Sequence, residues 1–275
     1  MDPSYRIRFA ERRADFDACV DLQRTVWRLS DLDATSSLHL ITSVHAGGLL
    51  QLAETGAAQT VGFAFAIPAL HEGRPHFHSD MVAVLPAHQK HGVGLALKWA
   101  QREAALLRGV SLITSTYDPL GARNAHLNLR RLGARGVAFL PDFYGSGGGR
   151  RSQGPDRLAV RWALDDPRVV ARLAEGDLQG VVPTPELSRI NEVQFQAGWP
   201  VSSDPELGLE DRELLLEIAP EWDVLAGAAP RVADDWHRKV RAALKTYFDR
   251  GYQAVDFAPS EEEGRRRPFY VLRRD

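Results

Sequence analysis

From Val84 to Ala96 the end of an apolar strand runs through a loop bearing Gly92 and Gly94 and straight into helical spacing, with Leu95, Trp99, Leu106 and Leu107 marking a helix of roughly four turns. A strand that hands the chain directly to a helix N-terminus requires an α/β arrangement. It also creates a chemical opportunity. The first amides of a helix have no intrahelical acceptor and carry partial positive charge, so glycines that let the backbone approach closely favour a bound anion there. The spacing is neither the Gly-x-Gly-x-x-Gly of dinucleotide folds nor the Gly-Lys-Ser/Thr of a P-loop.

Around this loop the pattern is strand and helix in turn. Residues 5–9 alternate as a strand, and Phe16, Val20, Gln23 and Trp27 recur at helical spacing. Apolar runs at 48–54, 61–67 and 78–85 predict an antiparallel meander. Beyond the long helix, 110–116 predicts a strand, 122–132 a helix closed by Gly133, and 137–140 and 158–164 two more strands. Residues 145–149 read as a flexible glycine loop. From Asp165 onward a short helix is predicted near Val169–Leu173, and the Pro-, Ser- and Asp-rich stretch 180–211 reads as a surface connection. A strand at 214–218, a helix through Trp236, Val240, Leu244 and Tyr247, Gly251, and strands at 254–257 and 269–272 follow. This repeats the order of 110–164, which suggests a diverged duplication of that half-unit. The expected architecture is α/β with a mixed sheet in two parts, residues 1–164 and a smaller unit at 165–275.

Composition narrows the function. With 34 basic and 36 acidic residues and a net charge of −2, nucleic acid is not an expected partner. No apolar run reaches membrane-spanning length and the N-terminus has no leader pattern, so a cytoplasmic protein is expected. Cys19 is the only cysteine, which leaves no internal disulfide and no cysteine-rich metal site. Cys19 reads as core. His76 and His78 share a strand face, but the meander accounts for them and no metal is expected. Only four residues are lysine, so arginine dominates and a lone arginine says little about phosphate. Arg265 to Arg267 after Glu261 to Glu263 read as a solvated hairpin tip.

The loop Gln89-x-x-Gly92-x-Gly94 after an apolar strand resembles the pyrophosphate loop of the GNAT acyl-CoA-dependent N-acyltransferases, and the order of elements over about residues 5–164 resembles that family's order. Four further segments, 78–81, 116–120, 123–128 and 140–145, look like a bacterial subgroup described mostly as predicted acetyltransferases. The resemblance implies acetyl-CoA or another acyl-CoA as co-substrate. It implies that Val82, Ala83 and Val84 offer backbone groups to the pantetheine arm and that the amides of Gln89, Lys90, His91, Gly92, Val93 and Gly94 hold the pyrophosphate. His91 would sit over the phosphates. The thioester would enter between the strands 78–84 and 110–116. The family's usual catalytic Tyr falls at Leu129 and its Asn at Ala122, so both are absent. Asn124 and Asn128, one turn apart, could bind cofactor or cap the helix.

The implied reaction is direct attack of an amine on the thioester, which needs a neutral nucleophile, oxyanion donors and a proton for the thiolate. Backbone N–H groups near Val82 to Val84 are the oxyanion candidates. Asp80, Tyr117, Asp118, His126 and Tyr144 are the acid or base candidates. Asp80 and Val82 would share a strand face by alternation. Asp118-Pro119 reads equally as a turn signal, Tyr117 as a half-buried strand residue. The expected function is acyl transfer, acetyl or another short acyl group such as succinyl, to a small-molecule amine that could be an amino acid, with one CoA site per chain and a homodimer left open. The alternatives are a non-catalytic CoA-binding or partner-binding module and an acylator of peptide N-termini.

Overall fold

The computed structural model describes residues 5–71, 73–145, 155–175, 180–184, 186–262 and 264–274. The expected leaderless start (residues 1–4), most of the 145–149 loop and Glu263 of the acidic run lie outside the described residues. The architecture is mixed α/β. It falls into two compact units, Met1–Ser115 with Ala163–Asp166, and Thr116–Trp162 with Pro167–Asp275. Compactness thus divides the chain inside the 1–164 region that the sequence reads as one module.

In the first unit, β1 (Tyr5–Phe9) leads to α1 (Arg13–Trp27) and α2 (Ser37–His45), and then to a meander of β2 (Leu49–Thr55), β3 (Thr60–His71) and β4 (Arg74–Val84). Next come α3 (Val93–Leu106) and β5 (Leu112–Tyr117). The strands lie in the order β1–β2–β3–β4–β5, antiparallel except for the parallel pair β4–β5. Helix α2 begins at Ser36, whose side chain accepts from the His39 amide. Sequence periodicity missed it, because polarity does not follow burial in this short helix: Ser37 is buried and Leu38 exposed. One sheet face packs Phe63, Phe65, Met81 and Ala83 against Phe16, Cys19 and Leu22 of α1. The other packs Val61, Ala64 and Val84 against Val93 and Leu97 of α3. Cys19 is fully buried as expected, and burial pushes its thiol well above the ordinary range.

The second unit contains α4 (Ala122–Ala125), β6 (Arg135–Leu140), β7 (Arg157–Ala163), α5 (Pro167–Glu175), β8 (Ser188–Arg189), β9 (Val193–Gln196), β10 (Trp199–Ser202), β11 (Glu213–Glu217), α6 (Trp222–Ala228), α7 (Pro230–Asp249), β12 (Gln253–Glu262) and β13 (Arg265–Arg273). Its sheet runs β7–β6–β12–β13–β11–β8, and β9–β10 form a separate hairpin. Ala254 of β12 meets Gly136 of β6, where an added Cβ would lie 2.9 Å from that of Ala254. Only glycine allows that approach. Trp236, Val240, Leu244 and Tyr247 of α7 are buried on the predicted face.

Three expectations about this unit change. The predicted 122–132 helix is α-helical only to Ala125. Residues His126–Arg131 widen into a π turn, with the Leu132 amide donating to the Leu127 carbonyl at 3.0 Å. The supposed surface connection carries β8 to β10. In it Asn191 is buried and substitutes for a strand partner, donating to the Glu217 carbonyl at 3.1 Å and accepting from the Glu217 amide at 2.9 Å. The arginine run is not wholly a solvated tip either. Arg267 pairs with the buried Glu217 through two contacts of 2.6 Å, because β13 lies beside β11.

Candidate functional site

The geometry of the first unit centres on the end of β4. Opposite β3, Phe65 pairs with Met81 and Ala66 with Ser79, which leaves Asp80 as an extra residue in a β-bulge. The bulge exchanges the faces of the strand. Ser79 before it points to α3, where its Oγ donates to Gln101 Oε1 at 2.9 Å, and after it Val82 and Val84 pack on the α3 side while Met81 and Ala83 pack on the α1 side. The alternation that placed Asp80 and Val82 on one face is therefore broken. Asp80 itself is exposed.

At the same point β4 parts from β5. The two strands pair at Phe77–Ile113 and His78–Thr114, and there the paired register ends while β4 continues along β3 to Val84. Alternate backbone groups of Ser79 to Val84 that face away from β3 thus open toward the gap. His78 stands at its start, half-buried, with Nδ1 2.9 Å from Thr114 Oγ1. Burial lowers its pKa, opposed by nearby Asp80 and assisted by His76 and Lys98, so the imidazole is biased to its neutral form. Sequence reasoning counted His78 only as a metal candidate. Its place opposite Thr114 depends on strand register, which no local pattern encodes.

Behind the bulge is a buried amine. Lys98 Nζ donates to Ser79 Oγ and Gln101 Oε1, both at 2.8 Å, and complete burial brings its pKa down to about 7. Sequence periodicity had no way to separate it from the exposed lysines.

From Val84 the chain enters the loop. The Gln89 side chain donates to the Val84 carbonyl at 2.9 Å and staples the loop to the strand end. Lys90 and Gly92 both adopt left-handed backbone, φ +66° and +79°. Gly92 is the N-cap of α3, which has no side-chain cap and no acidic residue in its first turn. The Ala96 amide is the first to bond back, to the Gly92 carbonyl at 2.9 Å, so the amides of Val93, Gly94 and Leu95 precede the helical ladder. A Cβ at Gly92 would meet nothing within 4 Å, and one at Gly94 only Val84 Cγ2 at 3.9 Å. The approach to these amides is open. The chemistry of these open amides fits an anion.

The remaining predicted residues belong to the second unit. Tyr117 is buried, with its hydroxyl 3.5 Å from that of Tyr270, which donates to the Pro119 carbonyl at 2.8 Å. Burial pushes the Tyr117 phenol upward, which keeps it protonated. Asp118 is buried and accepts from the Leu120 amide at 2.9 Å, the turn role the sequence offered beside catalysis. Leu129 is fully buried. Asn124 is exposed, and Asn128 donates to its carbonyl at 2.9 Å. His126 is half-buried in the π turn. Tyr144 is half-exposed, edge-on to Phe143 at 4.9 Å and beneath the Arg157 guanidinium at 4.7 Å. Among the described residues no group of three or more His, Cys, Asp or Glu side chains could hold a metal. No helix among them is long and apolar enough to cross a membrane.

No family model matches the chain and no curated protein does. Solved structures do. The ribosomal-protein-S18-alanine N-acetyltransferase from Escherichia coli is 16% identical over 58% of this chain and 94% of its own, with a TM-score of 0.47. A GNAT-family structure from Desulfovibrio desulfuricans is 20% identical over 58% and 99%, TM-score 0.48. YncA from Salmonella typhimurium, described with its cofactor acetyl-CoA, is 19% identical over 59% and 95%, TM-score 0.48. The Desulfovibrio structure is described as a member of the GNAT family. At these identities and scores no residue role is carried across from them.

Proposed function

We propose that this chain is an acyl-CoA-dependent N-acyltransferase acting on a small-molecule amine, with the cofactor module in residues 1–164 and the extension in 165–275. The observation that carries the reading is the continuity of one strand and one helix. A bulged β4 that parts from β5 runs directly into an uncapped, glycine-opened α3 N-terminus. The amides of Gln89 to Gly94 would bind the pyrophosphate and the freed backbone of Val82 to Val84 the pantetheine arm. The thioester would then lie along the gap that opens beyond His78 and Thr114. Acetyl-CoA or another short acyl-CoA supplies an activated carbonyl and a thiolate leaving group.

The chain's own groups then have defined tasks. Strand N–H groups in the gap stabilise the oxyanion without reorganisation. His78, biased neutral and oriented through Nδ1 by Thr114, can take a proton from the incoming ammonium, directly or through water, and exposed Asp80 can attract that cation. Because a thiol leaves far more readily than an amine, no buried phenol is required. The test is thiol release from acetyl- and succinyl-CoA across a panel of small amines. His78→Gln is expected to lower kcat by about 10²–10⁴-fold and to remove the acid limb, on which activity falls as the imidazole takes up a proton below its ordinary range. An unchanged pH profile in His78→Gln and Asp80→Asn would exclude both as proton carriers. The buried Leu129 and Tyr117 favour a second reading, a CoA-binding module without turnover, which predicts cofactor binding and no thiol release with any amine.

A further inference from the structure

The second unit contains an arginine-lined cavity that the acyl-transfer reading does not use. Its volume is about 350 Å³, and it is lined by Arg168, Arg172, Gly180, Val255, Asp256 and Arg273 with Val181. That size suits a small ligand. Arg168 and Arg172 stand one turn apart on α5, with their stems over Gly133, whose added Cβ would lie 3.5 and 3.3 Å from their respective Cγ atoms. Arg273 enters from β13, and Arg130 lies against Gly180.

One buried carboxylate, Asp256, sits at the floor. Its oxygens accept from the Val181 amide at 3.1 Å, the Phe257 amide at 2.9 Å and Arg130 at 3.3 Å. Arg168 and Arg172 stand at 3.8 and 3.7 Å from it, ion-pair distances longer than hydrogen bonds. Arg168 also donates to the Leu129 carbonyl at 3.3 Å, and Arg273 pairs with Glu213 at 2.6 Å. The potential in the cavity is positive. Burial, then Arg172, Arg135 and Arg273, pull the Arg168 pKa down to about 10 against the opposing pull of Asp256.

We propose that this cavity is a binding site for a small, multiply charged oxyanion, a phosphate or a dicarboxylate, held by the Arg168, Arg172 and Arg273 guanidiniums. The forked N–H groups of arginine match the paired oxygens of either group. An anion there neutralises like charges that the fold has brought together out of water, while Asp256 holds Arg130 and the Val181 amide in place and offsets part of that charge. The site rests on the second unit alone and stands whether or not the first unit binds acyl-CoA.

Calorimetry and thermal melting of the whole chain test it, with inorganic phosphate, glycerol phosphate, succinate and, at matched ionic strength, potassium chloride. Saturable binding of one or more oxyanions, absent for chloride, is expected. Arg168→Gln should weaken it about tenfold or more, the scale of a lost charge-assisted hydrogen bond, and Arg168→Lys by less. Response to phosphates alone or to succinate alone supports the site and names its source. Arg273→Gln, on a different element, serves if Arg168→Gln melts before assay. A response to chloride equal to that of the oxyanions, no saturable binding at all, or binding unchanged in both glutamine variants overturns the proposal.

Discussion

Lys98 shows what a single side chain can impose on this fold. In the unfolded chain it titrates near the ordinary lysine value of 10.5, in the folded chain at about 7. Between those values the unfolded state binds more protons, so stability contributed through Lys98 rises with pH from about 7 to about 10.5, with a slope of at most ~1.4 kcal/mol per pH unit. Lys98→Met should therefore flatten that rise and stabilise the protein more at pH 6 than at pH 10, as read from urea denaturation. Equal effects at both pH values would mean that the amine is hydrated. The slope has the same sign, at lower pH, for Asp15, which is buried and receives two contacts of 2.8 Å from Arg8. Arg8, which also reaches Glu54 at 2.6 Å, holds both carboxyls below their ordinary range. Their contribution is present above the unfolded pKa and lost as pH falls through the folded one. Arg8→Met should cost about 3–5 kcal/mol at pH 7 and less in acid, since it strands a buried charge. Neither residue's role was legible in the sequence. Arg8 was one arginine among many, and Lys98 an ordinary helical lysine, because burial and ion pairing depend on partners far along the chain.

At the scale of elements, the local signals were the reliable ones. The strand-to-helix passage at 84–96, the meander and the closing glycines Gly133 and Gly251, both at positive φ, were legible because turn chemistry and short-range periodicity specify them. The bulge at Asp80 was not, because a one-residue register shift leaves no mark on composition, and it reversed the face assignment of Asp80. The π turn at His126–Arg131 was hidden in the same way inside a continuous helical pattern. Two glycines test the element-level account. Gly92→Ala has room for its Cβ and should cost only the left-handed backbone penalty, about 1–2 kcal/mol by denaturation. Gly136→Ala has none, since Ala254 and Leu158 lie 2.9 and 3.1 Å from the new methyl group, and should cost about 1–3 kcal/mol by parting β6 from β12. If Gly136→Ala is the milder of the two, the β6–β12 contact is looser than described.

For the whole molecule, two half-units with the order strand, helix, glycine, strand, strand were expected; in the second unit β11 is followed by two helices, α6 and α7, and then by Gly251, β12 and β13. Only the first region carries a glycine loop between strand and helix, so one acyl-CoA per chain is expected. Isothermal titration of the purified chain with acetyl-CoA tests the central claim most directly, using wild type and Gly92→Asp. One saturable site in the wild type, lost in Gly92→Asp while its melting transition persists, is the result this account predicts. Absence of binding by wild-type protein to any acyl-CoA, or equal affinity in Gly92→Asp, would contradict it.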